Sequence, residues 1–146
     1  MNVISAYAPQ VGCDTEEKEE FWRVLNEVVL QVPIEERLIL GAYFNGHVGE
    51  GNSGDEKVIG RYGVKERNTE GQMVVDFAKR IKMAVFNTYF KKKEQVDYIL
   101  CRRKNLKEVS VRIGKRIVLG LRNLKEVRVR IARWYQERVW LNSIGW

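Results

Sequence analysis

The chain has 146 residues, 45% of them hydrophobic and 31% charged, with a formal net charge of +7. This is the size of one globular domain able to bury a core, and no apolar run approaches membrane-spanning length. Met1 leads into NVISAYAP without a basic or apolar leader, and Cys13 and Cys101 have neither CxxC spacing nor a His cluster. This spacing argues against a disulfide framework or a zinc site, and the expected location is intracellular, nuclear or cytoplasmic, with no membrane partner.

In chain order, NVISAYAP is a strand stopped by Pro9. Asp14 and Thr15 can cap a helix whose first turn holds Glu16, Glu17, Glu19 and Glu20, as the helix dipole favours. Phe21, Trp22, Leu25, Val28, Val29 and Val32 recur at helical spacing until Pro33 closes the segment. Leu38–Phe44 reads as a second strand. Residues 45–67 hold six glycines among polar residues and form a long surface loop. Asn68 or Thr69 caps a second helix with Met73, Val74, Phe77 and Ile81 on one face. AVFNTYF (84–90) is a third strand, 91–94 a turn and QVDYILCR (95–102) a fourth strand. Strand, helix, strand, helix, strand, strand is an α/β pattern.

The last third differs. Residues 102–146 carry 13 Lys and Arg against Glu108, Glu126 and Glu137, net +10, while residues 1–101 net −3. Such a segment attracts polyanions, nucleic acid first, with Arg102, Arg103, Lys104, Arg128, Arg130 and Arg133 as the expected contacts. The plainer reading is a solvated basic face. NLKEVSVRI (105–113) returns as NLKEVRVRI (123–131). Each copy alternates as a strand, and the second also fits a helix through Leu124, Val127, Ile131 and Trp134. Trp134, Tyr135, Trp140 and Trp146 could stack on bases, or pack against the core.

SAYAPQVGC, EEKEEFW, FNGHVGEGN, RYGVKERN, EGQMVVDFAKR, NTYF and QVDYILCRR resemble the endonuclease/exonuclease/phosphatase superfamily over roughly residues 1–110. The nearer likeness is to the endonuclease domains of RTE-type LINE retrotransposons, together with domains like that of craniofacial development protein 2. The resemblance implies part of the apurinic-endonuclease-like (DNase I-like) fold, a two-sheet β-sandwich flanked by helices. It assigns 1–104 to a truncated domain of this kind and leaves 105–146 as a basic, internally duplicated segment. Exposed sheet edges would then be covered by residues 105–131, by an oligomer or by a protein partner.

The same resemblance implies Mg²⁺-dependent phosphodiester hydrolysis and carries site residues over by position. Asn45 matches the Asn that contacts the phosphate or orients the attacking water. Asp97 matches the Asp that positions a catalytic histidine, and Tyr7 a tyrosine that approaches the phosphate. Departures are several. Tyr43 stands where the family has Asp, and a phenol is a poor proton acceptor at neutral pH. The family's metal-binding Glu precedes the YAP segment, and its histidine follows a Ser-Asp pair. The sole histidine here is His47, in the NGHVG loop. The segment between NTYF and DYI is also shorter than in relatives. No metal ligand set is identifiable, and Mg²⁺ is expected only if the chain is active.

The expected function is therefore a retrotransposon-derived endonuclease-like domain without catalysis, binding nucleic acid or protein. An active Mg²⁺-dependent DNA endonuclease and a non-enzymatic structural subunit are the alternatives. Plainer roles stand beside the sharp ones: Asn45 as a turn former, Asp97 as a sheet-end hydrogen-bonder, His47 as a loop residue, and Asp55 with Glu56 as a weak cation site.

Overall fold

The computed structural model describes residues 1–50, 54–63, 66–91 and 97–106 with side chains, and the backbone of 109–113, 117–121, 128–135 and 138–145. The elements run β1 (Asn2–Tyr7), α1 (Thr15–Leu30), β2 (Leu38–Tyr43), α2 (Thr69–Arg80), β3 (Met83–Val85), β4 (Asp97–Arg102), β5 (Val109–Ile113), β6 (Ile117–Leu121), β7 (Arg128–Tyr135) and β8 (Arg138–Gly145). The protein is mixed α/β. A six-stranded sheet has the order β3-β4-β2-β1-β7-β8, and β5 and β6 form a two-stranded sheet.

Parallel neighbours need a crossover, and α1 supplies the one between β1 and β2. The Asp14 side chain accepts from the Glu17 N–H and starts α1, and Asn68 caps α2 through the Gly71 N–H. β4 runs antiparallel to both β2 and β3. β7 lies parallel on the outer edge of β1, so the last third of the chain completes the central sheet. The two repeat copies part company. Val109–Ile113 of the first forms β5, paired with β6, and the described part of the second opens β7, so it takes the strand alternative over the helix.

One face of the sheet packs on the helices. Ile4, Ala6, Leu38, Leu40, Ala42, Tyr98 and Leu100 meet Phe21, Leu25, Val28, Val29, Val74, Phe77 and Ala78 there. Trp22 stacks on Phe44, with centroids 5.2 Å apart, and leans on Phe77 at 5.0 Å. Met73, expected on the apolar face of α2, is only half-buried, while Val75 and Ala78 are buried. The opposite face carries a small cluster of Ile39, Phe86, Ile99 and Cys101 at one end. At its other end Ser5 and Tyr7 are exposed, and a side chain added at Gly41 would meet nothing within 4 Å.

The expected third strand is corrected. It spans only Met83–Val85 and then tightens into a 3₁₀ turn over Phe86–Tyr89. Local side-chain bonds drive the change: Thr88 Oγ1 donates to the Val85 carbonyl and accepts from Gly60 N–H, and Asn87 Nδ2 donates to the Asp97 carbonyl. The turn expected at 91–94 lies mostly outside the described residues.

Candidate functional site

β1 and β2 run parallel and β4 antiparallel, so the register sets Tyr7 beside Tyr43 and Tyr43 beside Asp97. Successive residues of a strand alternate faces, which puts these three side chains in one row on the face away from the helices. The backbone position of Arg133 extends that row on the far side of Tyr7. The sequence names Tyr7, Tyr43, Asn45 and Asp97 separately, and tertiary structure gathers them at one end of the sheet.

Their contacts are largely with one another and with the strand ends. Tyr43 and Tyr7 stack, with centroids 5.2 Å apart and planes 16° from parallel. Asn45 adopts a left-handed backbone with φ 53°, and its Nδ2 donates to the carbonyls of Ala8 and Pro9, each at 3.1 Å. Both amide protons can thus be spent on the β1 exit, which locks the two strand ends together. Asp97 is exposed at the start of β4, and its carbonyl accepts from buried Asn87, whose Oδ1 in turn accepts from Ile99 N–H. Asn87 thus ties the start of β4 to the 3₁₀ turn, a contact hidden in the sequence because NTYF reads as strand.

Behind this row the NGHV turn is held from three sides. Asn68 Oδ1 accepts from His47 N–H at 2.9 Å as well as from Gly71 N–H at 2.8 Å, so one helix cap also pins the loop. Tyr98 Oη donates to the Gly46 carbonyl at 2.9 Å and accepts from Val48 N–H at 3.3 Å. Burial pushes this phenol up to about 12. Arg67 Nε donates to the Val48 carbonyl, and Arg67 also binds Asp55 at 2.7 Å. Helix and loop meet so closely that a Cβ on Gly71 would sit 1.7 Å from the His47 carbonyl oxygen. His47 is a loop residue in this frame, joined to Asn68 through its backbone.

Asp55 does not serve as a cation site. Its carboxylate is buried between Arg67 and Lys79. Desolvation pushes its pKa up, but hydrogen bonds from Lys79 and Arg67 outweigh that and hold it below the usual carboxylate range. Among the described residues no three His, Cys, Asp or Glu side chains converge as metal ligands, and Asp97 is the one carboxylate of the Tyr7–Tyr43–Asp97 row. Magnesium prefers several oxygen donors, so the described row offers it a single anchor. What the row can offer a ligand is an aromatic platform, two phenols and one carboxylate.

The six expected nucleic-acid contacts separate into different places. Arg102 is corrected outright: it is buried, and its guanidinium donates to the carbonyls of Val32, Pro33 and Glu36. A cation committed to the α1–β2 loop is not available to a polyanion. Arg103 is half-exposed and Lys104 exposed, at the end of β4 remote from Tyr7 and Asp97. The backbone positions of Arg128 and Arg130 pair with Asn2 and Ile4, and Arg133 with Tyr7, so β7 does not present all three on one face. Trp134, Tyr135 and Trp140 lie on β7 and β8 outside the residues with described side chains, and Trp146 lies outside the described residues. No helix among the described residues is long and apolar enough to cross a membrane.

No protein-family model matches the chain, and neither a curated protein nor a solved structure matches it.

Proposed function

We propose that this chain is a nuclease-derived domain, akin to the endonuclease domains of RTE-type LINE retrotransposons, that does not hydrolyse phosphodiesters and acts by binding nucleic acid. Its mixed sheet and two helices are compatible with part of a DNase I-like sandwich. One observation carries the reading: the positions that match a catalytic centre are used to hold strands together. Tyr43 is stacked on Tyr7, and the Asn45 amide donates to the Ala8 and Pro9 carbonyls. Hydrolysis needs a group that activates water and donors aimed at the developing charge, and neither phenol nor a committed amide supplies these well. Nucleic-acid binding draws on the excess of Lys and Arg after residue 101, with Arg103, Lys104 and Arg133 as its first candidates and Tyr7 and Tyr43 as a stacking surface.

The test uses supercoiled plasmid with Mg²⁺ and, separately, a fluorescent single-stranded oligonucleotide over a salt series. The expected result is no metal-dependent nicking, with binding that weakens steeply as salt rises. Metal-dependent nicking by the unmodified chain would overturn the first half, and salt-independent binding the second.

A further inference from the structure

At the opposite end of the sheet from Tyr7 and Asp97, α2, β4 and the α1–β2 loop border an open cavity of about 440 Å³. Its lining is Ile34, Lys79, Lys82, Arg102, Arg103 and Lys104: five cations and one apolar residue. Two of the five are already committed. Lys79 pairs with Asp55, and Arg102 donates to loop carbonyls with Glu35 and Glu36 beside it. Lys82, Arg103 and Lys104 have no carboxylate partner among the described residues. The Nε of Arg103 is buried without a hydrogen-bond partner, while one of its terminal nitrogens reaches the Lys79 carbonyl at 3.4 Å.

The three uncommitted cations come from two different elements. Lys82 follows α2 with φ 56°, a left-handed turn that brings the chain round into β3. Arg103 and Lys104 follow β4, and the Met83–Arg102 register with the bond from Arg103 N–H to the Lys82 carbonyl brings the two segments side by side. Like charges brought together repel, and the carboxylates described near this cavity, Glu35 and Glu36, act on Arg102. Part of their role is to meet the carbonyl end of α2. That does not account for Ile34, 56% exposed at the cavity wall.

We propose that Lys82, Arg103 and Lys104 form a phosphate-binding pocket, with Ile34 as the wall for the group that carries the phosphate. A guanidinium and two ammonium groups suit a multiply charged oxyanion, and the volume admits more than a single phosphate. The phosphate comes either from a small phosphorylated molecule or from a nucleic-acid backbone. Only the second source rests on the nucleic-acid reading above.

The experiment is calorimetric titration of the full chain with inorganic pyrophosphate, repeated on Lys82→Gln, Arg103→Gln and, as a control, Lys57→Gln, an exposed cation in the 45–67 loop. Circular dichroism checks that each variant is folded, and Lys82→Gln, on an exposed turn, keeps the test alive should Arg103→Gln unfold. The expected result is saturable binding, weakened roughly tenfold by each pocket variant and unchanged by Lys57→Gln. Absence of saturable binding, or an equal loss with Lys57→Gln, would overturn the pocket. A second arm titrates a single-stranded oligothymidylate with and without pyrophosphate. Competition assigns the pocket to nucleic-acid phosphate. An oligonucleotide that binds without competition, or does not bind, assigns the pocket to small phosphates, and the latter result sinks the nucleic-acid reading while the pocket stands.

Discussion

Tyr43 stacks on Tyr7 across the β1–β2 junction, a pair made by strand register since the two residues are 36 positions apart in the chain. Aromatic pairs contribute about 0.5–1.5 kcal/mol beyond their buried area, and Tyr7 is 43% exposed, so the low end applies here. Replacing Tyr43 with Asp introduces the residue type that the proposed nuclease reading would need there. It supplies no histidine and removes the stack. The expected outcome of Tyr43→Asp is a lower melting temperature and no plasmid nicking above a metal-free control.

Gly71 is set against the His47 carbonyl with no room for a methyl group. A Cβ there forces apart the cap of α2 and the NGHV turn, which share Asn68 Oδ1. Gly71→Ala, which would normally help a helix, is expected instead to destabilise by about 2–4 kcal/mol in urea unfolding. An unchanged or raised midpoint would show that the loop does not seat on the helix.

Asp55 gives the protein an acid limit. Its folded pKa lies below the ordinary value near 3.8 because of Lys79 and Arg67. A group depressed in this way contributes stability above its unfolded pKa and loses it as pH falls through the folded one. Asp55→Asn is expected to cost about 1–3 kcal/mol near neutrality, and less at acid pH because the wild-type carboxylate is neutralising too. Stability against pH for the two chains should converge below the ordinary carboxylate range.

The alkaline side is governed by Tyr98 and Cys101, both pushed up to about 12 by burial from ordinary values of 10.0 and 9.0. The folded chain holds these protons longer than the unfolded one. Their contribution is therefore complete below the unfolded pKa values and fades as pH rises from about 9 towards 12. A thiol reagent at mild pH is expected to find Cys13, which is only half-buried, and to reach Cys101 only on unfolding. Tyr98→Phe is expected to lose about 1–3 kcal/mol, because the Gly46 carbonyl and Val48 N–H lose a buried partner.

Arg102 was expected to meet nucleic acid and is instead a structural bolt. Its hydrogen bonds to the carbonyls of Val32, Pro33 and Glu36 join the end of β4 to the α1–β2 loop. Arg102→Met keeps the length and removes the donors, leaving those carbonyls short of partners. A loss of about 2–4 kcal/mol is expected, with oligonucleotide affinity unchanged in the folded fraction. A specific loss of affinity at unchanged stability would return Arg102 to the binding surface.

Much of the frame was legible along the chain. Asp14 and Asn68 announce their helices as caps, and Phe21, Leu25, Val28, Val74 and Phe77 keep the 3.6-residue period that buries them. The AVFNTYF segment misled because β-forming residue types were judged without their partners. Gly60, 28 residues before Thr88, and Asp97, 10 residues after Asn87, supply bonds that turn this segment into a 3₁₀ coil. Arg102 misled for a related reason: its sequence neighbours are cationic, while its spatial neighbours are carbonyl oxygens.

The sequence by itself determined the two helices, the strands NVISAY, LILGAY and DYILCR, and the concentration of positive charge after residue 101, since caps, periodicity and charge are properties of neighbours in the chain. Only tertiary structure decided which repeat copy joins the central sheet, that Tyr7, Tyr43 and Asp97 share one row, and that Arg102 is spent while Lys82 and Arg103 face a common cavity. Those outcomes depend on strand register and on contacts between residues far apart in sequence. A slip of one position would send each side chain to the other face.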